Sequence, residues 1–254
     1  MSDRSDIDAL IEDAAEQLDR VRELYEASLR AKEVPAKLRT RIKNVLENQR
    51  SALEYMAHAI YEAHGDGKGK NSYYPVAASL TEFPGYFNKV MSGVATNCPD
   101  VRDAIEARQP YRPGYEWLTH LSLLTNENKH RRLTPQTRTE TKTVETRGPR
   151  GGQVGYTEGV TFLPGGQGIS FGPGGSISFG PGGSIEFGPG GTSVSGVPVD
   201  PTTQRPVPTP GATVAETVYV DWLFEDPQLS ALGTLERIQD SLPSLVDDVL
   251  SALP

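Results

Sequence analysis

Cysteine is nearly absent from this chain, because Cys98 is the only one among 254 residues. A single thiol excludes an internal disulfide and any metal site built on several cysteines. Histidine is also scarce, and its four positions are too scattered to form a metal site by spacing: His58, His64, His120 and His130. We therefore predict neither a metal nor another cofactor.

Long apolar runs are absent as well, and none approaches the roughly 20 residues of a membrane-spanning helix. The charged amino-terminal stretch lacks the apolar centre of a signal peptide. The net charge of −8 argues against a general affinity for nucleic acid or anionic membranes. We expect a soluble, cytoplasmic protein of a bacterial host, encoded by the bacterium or by a phage, with no membrane partner.

Positive charge is concentrated in one segment, between Lys129 and Arg150, which holds seven Lys and Arg residues and two Glu residues. One interpretation is a surface for phosphate groups. The other is a solvated hairpin whose cations balance the acidic helices.

Periodic apolar residues predict two long helices at the start of the chain, from about Ser5 to Lys32 and from Pro35 to Gly65. Two long helices with a short connection should form an antiparallel hairpin. Shorter helices are predicted around 85–93, 99–108 and 117–124. A last apolar stripe begins after Pro227, and Pro243 should kink or split its helix.

Alternation of Thr with charged residues over 137–146 predicts an exposed strand, and Thr217–Phe224 reads as another strand. Between them, the sequence Phe-Gly-Pro-Gly-Gly repeats every eight residues, from Phe171, Phe179 and Phe187, and an Ile lies two residues before each Phe. Each Ile-x-Phe triplet can form a very short strand with both apolar side chains on one face, while the glycines permit the turn. Stacked units would bury an Ile/Phe ladder. The alternative is a disordered glycine-rich linker.

These patterns predict a mostly α-helical bundle with an inserted glycine-rich β module, arranged as a short-strand meander or a β-solenoid-like stack. The predicted bundle comprises residues 1–135 and 217–254, because the last apolar stripe needs the amino-terminal hairpin as its partner. The β module covers 136–197, and a proline-rich connector covers 198–216. Three repeats make a thin core, so pairing with another chain or with the flanking strands is expected.

Polar residues converge at the end of the 117–124 helix, where Asn126-Glu-Asn-Lys-His-Arg131 follows a buried stripe. Polar groups at the edge of a core are unfavourable unless they satisfy one another or a ligand. On the second helix, Arg50, Glu54 and His58 are spaced four apart and share a face. We predict that Arg50 and Glu54 point toward His130. The alternative is an intrahelical charge ladder that faces water.

Two segments together, Asn48-Gln-Arg-Ser-Ala-Leu-Glu-Tyr-Met-Ala-His and Leu124-Thr-Asn-Glu-Asn-Lys-His-Arg, resemble a group of bacterial and phage proteins that look like distant members of the HEPN superfamily. The resemblance covers the second helix, the motif helix and the last helix, but not the glycine repeats. It implies a helical bundle that dimerises and that cleaves RNA without metal, through an Arg-Asn-x-x-x-His motif. Asn126 and His130 match this motif, whereas Thr125 occupies the position of the Arg.

The resemblance implies that His130 transfers a proton at the ribose 2′-hydroxyl and that a cation stabilises charge on the phosphate. Arg50 from the neighbouring helix is the candidate for that missing cation, which makes His130, Asn126 and Arg50 the candidate catalytic set. The competing interpretation is a structural clasp that holds the two helices together, formed by Glu54, Asn128, Lys129, Arg131 and His58.

Two functions follow from these interpretations. The preferred one is a non-enzymatic interaction or assembly protein, in which the repeat module drives association into a homo-oligomer or with a protein partner. The alternative is a metal-independent HEPN-type endoribonuclease or RNA-binding protein in phage–host conflict.

Overall fold

The computed structural model describes residues 4–68, 72–130 and 135–254, except for the side chains of residues 30 and 127–130. The chain divides into two compact units. We call Met1–Arg138 with Trp222–Pro254 the helical unit, and Thr139–Asp221 the β unit.

The described part of the helical unit contains seven helices: α1 (Arg4–Ala31), α2 (Ala36–His64), α3 (Phe83–Val90), α4 (Val94–Asn97), α5 (Pro99–Glu106), α6 (Trp117–His130) and α7 (Ala231–Leu250). The predicted hairpin is confirmed, because α1 packs along α2. Helix α7 packs on both and runs through Pro243 as one element. Helix α6 extends six residues beyond the predicted end at Leu124 and includes the polar motif as far as His130. None of the described helices has the length and apolarity needed to cross a membrane.

Long apolar side chains from every large helix meet in one core, which explains why these amphipathic sequences fold together. Leu53 and Met56 of α2, Trp117 of α6 and Leu242 of α7 are all buried. Fully burying a side chain of this kind stabilises a fold by about 1.5–3 kcal/mol. The core therefore depends on both ends of the sequence, since α7 is distant from α1 and α2 along the chain.

Buried amides connect the segments of the helical unit. The Gln49 amide on α2 donates to the Leu235 carbonyl of α7 at 3.1 Å. The Gln109 side chain accepts from the Ala77 N–H and donates to the Pro75 carbonyl, both at 2.9 Å. A buried amide without partners is unfavourable, so these bonds specify one arrangement of the segments they join.

The strands run in chain order as β1 (Gln136–Arg147), β2 (Gln153–Thr157), β3 (Val160–Phe162), β4 (Ile169–Phe171), β5 (Ile177–Phe179), β6 (Ile185–Gly188), β7 (Gly191–Val194), β8 (Val197–Asp200), β9 (Arg205–Pro206) and β10 (Thr213–Phe224). They form three sheets of order β10-β1-β2-β5, β3-β4 and β6-β7-β8-β9. The segment predicted as a proline-rich connector, 198–216, contains β9 and parts of β8 and β10.

Each repeat provides one short strand, and the glycines of its turn are required for different structural reasons. In the first repeat, Gly174 has a φ of +71°, which side chains other than glycine rarely adopt. A Cβ on the next residue, Gly175, would lie 2.6 Å from the Gly159 carbonyl oxygen. The turn closes with a bond from the Gly175 N–H to the Gly172 carbonyl at 3.0 Å. Two adjacent glycines are therefore required, one for its backbone angle and one for a close approach.

The predicted fold class is wrong, because the chain is not a mostly helical bundle. Helix accounts for 46% of the described residues and strand for 22%, in three antiparallel sheets. The repeats are ordered, and the third repeat strand begins a meander, because β6, β7, β8 and β9 pair antiparallel in chain order. Strand β4 pairs with β3, β5 with β2 and β6 with β7, so the repeat strands do not pair with one another. Local periodicity predicts a strand but carries no information about its partner.

The prediction that the Ile and Phe of each repeat are buried together on one face is also wrong. Ile169, Ile177 and Ile185 pack against the core of the β unit. The phenylalanines that follow them remain exposed. Strand length is not the cause, because β3 also has three residues and both of its ends are buried.

Candidate functional site

Arg50 and Glu54 form an ion pair on one face of α2, as their spacing predicts. The Glu54 carboxylate also accepts a hydrogen bond from the Tyr74 backbone N–H at 2.8 Å. Both side chains are largely buried, with exposed fractions of 14% for Arg50 and 21% for Glu54. This carboxylate therefore holds the segment that carries Tyr74 against α2.

The third residue of the predicted set, His58, has different partners. Its Nδ1 lies 2.8 Å from the Ser72 hydroxyl, and its Nε2 lies 3.3 Å from the Glu62 carboxylate. Its side chain is half exposed. His58 thus lies at the solvent edge of α2.

The polar motif begins on the last turns of α6. Asn126 is exposed, and Thr125, at the position of the arginine in the HEPN pattern, is buried and donates its hydroxyl proton to the Leu121 carbonyl at 2.7 Å. The side chains of Asn128, Lys129 and His130 lie outside the described residues, and so does Arg131. The predicted convergence of Arg50 and Glu54 on His130 remains a prediction.

Several buried polar atoms of the helical unit have no hydrogen-bond partner in the part of the chain that the structure describes. They include Nη1 of Arg50, the Tyr74 hydroxyl and Nε1 of Trp117. Burial raises the pKa of the Tyr74 hydroxyl above its usual value, so this group stays protonated. The described groups therefore offer hydrogen-bond donors together with the Glu54 carboxylate.

The repeats of the β unit present a second candidate surface. Phe171, Phe179 and Phe187 are 60%, 59% and 46% exposed. We call these three side chains the phenylalanine set. Directly opposite them in the sheets lie Val160, Val154 and Thr192, all of which are buried. The sequence pattern predicted that these phenylalanine rings are buried. The strand pairing instead places them at the edge of the core, opposite buried residues.

The β unit also contains a cavity of about 440 Å³ on the sheet β10-β1-β2-β5. Its lining includes Glu145, Arg147, Gly155, Ser178 and Phe179. Glu145 and Arg147 are two residues apart on β1, so both point away from the core side of that strand. Within the described ranges, no group of three or more His, Cys, Asp or Glu side chains is arranged to hold a metal ion.

Comparison with known proteins identifies no family for this chain. No family model matches it, and no curated protein or solved structure shows significant similarity to it.

Proposed function

We propose that this protein is a non-enzymatic assembly protein whose β unit associates with a second copy of the chain through the phenylalanine set. The observation that carries the proposal is the exposure of Phe171, Phe179 and Phe187 at the same position of three ordered repeats. Single exposed apolar side chains are common, whereas an exposed apolar patch marks an interaction surface, so the proposal requires the three rings to act together.

Composition around the set supports a second copy as the partner. Between Gly151 and Val199, the only charged residues are Glu158 and Glu186. Two such surfaces can approach with little electrostatic repulsion, although the whole chain has a net charge of −8. A second copy also offers the same rings, and aromatic pairs attract one another beyond simple area burial. We place this assembly in the cytoplasm of a bacterial host, where a free buried thiol such as Cys98 stays reduced.

The test is the mass of the full chain in solution after Phe171, Phe179 and Phe187 are all changed to serine. We expect the triple variant to have a lower mass than the wild type by light scattering. The melting temperature should stay nearly the same because the rings are exposed. Val207→Ser is the matched control, since Val207 is 49% exposed in the same unit but lies outside the repeats. An unchanged mass in the triple variant would defeat the proposal.

We propose RNA binding or cleavage by α6 as the second candidate. It is favoured by the packing of α6 on α2, the helix that carries Arg50, and by the helical spacing of Asn126 and His130. Residues four apart on a helix share a face. His130→Ala should then abolish RNA cleavage or binding and leave the melting temperature nearly unchanged, whereas His120→Ala on the same helix should have no effect on RNA. If His130 is instead part of a clasp, its replacement should lower stability by about 1–3 kcal/mol.

A further inference from the structure

Strand β10 is the edge of its sheet. The sheet has the order β10-β1-β2-β5, so β1 covers one side of β10, and no described strand covers the other. The last residues of β10 have further partners, since the Trp222 N–H donates to the Tyr25 hydroxyl and Leu223 forms an isolated bridge with Ser230, so the candidate edge is the part before Trp222. Strand β10 has 12 residues, whereas β5 at the opposite edge has three. A long edge strand exposes a row of backbone N–H and C=O groups that can pair with another strand.

Part of this sheet is only two strands wide. Strand β2 pairs with β1 over residues 143–147, so the stretch of β1 from Thr139 to Lys142 has β10 as its described sheet neighbour. The Thr139 hydroxyl donates to the Asp221 carbonyl at 3.4 Å, which places this stretch beside the end of β10 in the β unit. An isolated two-stranded ribbon is marginally stable in water, and a third strand stabilises it.

The outer strand of this ribbon is apolar on both faces. Val218 and Tyr219 point to opposite faces because they are adjacent in a strand, and they are 48% and 55% exposed. Between Thr217 and Asp221 there is no proline, lysine or arginine, the residues that commonly protect an edge from pairing. This combination favours an extended, uncharged partner strand.

The sequence of the edge is self-complementary in one antiparallel register. With Tyr219 opposite Tyr219 of a second copy, Val218 faces Val220 and Thr217 faces Asp221. The register centred between Val218 and Tyr219 instead places Glu216 opposite Asp221, and the register centred on Val218 places Glu216 opposite Val220. Opposite residues share a face of the sheet. The register centred on Tyr219 pairs Val218 with Val220 and places no acid opposite another acid, and its Glu216 falls opposite Trp222, outside the central pairs.

We infer that the edge of β10 pairs with β10 of a second copy, in an antiparallel register centred on Tyr219. The pairing has two-fold symmetry and joins two four-stranded sheets into one continuous sheet. It uses residues outside the phenylalanine set and does not depend on that set for its contacts.

The first test uses the full chain with the three phenylalanines already changed to serine. We expect this variant to form a dimer that dissociates to single chains when Val218→Lys is added, because two lysines near the two-fold axis repel each other. Val207→Lys is the matched control and should leave the dimer intact. If the triple variant is already a monomer, the pairing is refuted while the proposed function stands. If the wild type and the triple variant are both dimers that Val218→Lys dissociates, the β10 pairing stands and the proposed function fails.

The second test fixes the register by cross-linking in the same background. Opposite residues of an antiparallel pair have Cβ atoms about 4.5–5.5 Å apart, close to the separation in a disulfide of about 3.5–4.5 Å. Tyr219→Cys should therefore form a disulfide-linked dimer on mild oxidation. Val218→Cys should cross-link far less, and Val207→Cys should not cross-link. Native Cys98 is buried and does not interfere. A cross-link at 218 in place of 219, or none at either position, would overturn the inference.

Discussion

The two units use phenylalanine differently. The helical unit buries Phe83 and Phe87 almost completely, whereas the β unit buries Phe162 but exposes the three phenylalanines of its repeats. Strand length does not explain the difference, because the three-residue strand β3 buries both of its ends. The difference follows from which neighbouring strands and side chains cover each ring, and this depends on the tertiary arrangement.

The units also differ in how they keep segments together. The helical unit joins distant segments through side chains, such as the amides of Gln49 and Gln109 and the carboxylate of Glu54. The β unit joins its repeats to neighbouring strands through backbone contacts at glycine, where a Cβ has no room. Truncation of a side chain should therefore destabilise the helical unit, whereas addition of a side chain at a glycine should destabilise the β unit.

Removal of core volume from the helical unit should have the largest effect. Leu53→Ala should lower the free energy of unfolding by about 2–5 kcal/mol, because Leu53 is fully buried and the surrounding helices cannot close the cavity completely. The measurement is urea denaturation followed by tryptophan fluorescence, since Trp117 and Trp222 both belong to the helical unit. Leu123→Ala, at a 53% exposed position of α6, is the control and should change stability by about 0.5 kcal/mol or less. Equal effects of the two changes would contradict the described core.

Addition of one methyl group should destabilise the β unit. Gly175→Ala forces a Cβ to within 2.6 Å of the Gly159 carbonyl oxygen, and such overpacking costs about 1–3 kcal/mol. Faster amide hydrogen exchange across β2 to β5 would report the loss. Gly188→Ala is the control, because a Cβ there meets no atom within 4 Å. Similar exchange in both variants would show that the turn is not held as described.

Loss of the Glu54 carboxylate should destabilise the helical unit by a similar or smaller amount. Glu54→Ala removes the acceptor of the Tyr74 N–H and the partner of the Arg50 guanidinium, and orphaned buried groups cost about 1–3 kcal/mol. Glu62→Ala, which removes the exposed partner of His58, should cost about 0.5 kcal/mol or less. Chemical denaturation of the two variants separates the outcomes, and equal losses would reject the role given to Glu54.

The smallest effect should appear in the pH dependence of the helical unit. Burial on α6, followed by the nearby Arg237 guanidinium, lowers the pKa of His120 below its usual value of 6.5. The unfolded chain then binds a proton more readily than the folded chain, so this group favours unfolding as the pH falls through 6.5. His120→Asn should reduce the loss of stability between neutral pH and the region below 6.5, measured by thermal unfolding at several pH values. A steeper loss in the variant would reverse the sign assigned here.

The long helices were predictable because their apolar residues repeat with the period of the helix itself. The predicted ranges of the first two helices agree with α1 and α2, and the alternating Thr residues predicted β1. The eight-residue phase of the repeats likewise predicted β4, β5 and β6, since each unit contains its own turn. These are local properties, and neighbouring residues are sufficient to specify them.

The arrangement of the site could not be predicted to the same extent. The four-residue spacing of Arg50 and Glu54 predicted their shared face, but nothing in the sequence indicated that the Tyr74 N–H would be the third member of that contact. Likewise, the pairing of Phe179 with Val154 depends on which strand β2 meets. Contacts between residues distant along the chain depend on packing, which a periodic pattern does not encode.

Sequence patterns were sufficient to locate the long helices, β1 and the short strands of the repeats, and to exclude an internal disulfide. They also show that two adjacent glycines recur in each turn, but they did not indicate β2, β3 or β7 to β9. The folded structure was needed to learn which strands pair, that each repeat packs its isoleucine on the core and exposes its phenylalanine, and that β10 lies at an edge. The physical reason is that backbone preference and side-chain period act over a few residues, whereas burial depends on which distant surfaces meet.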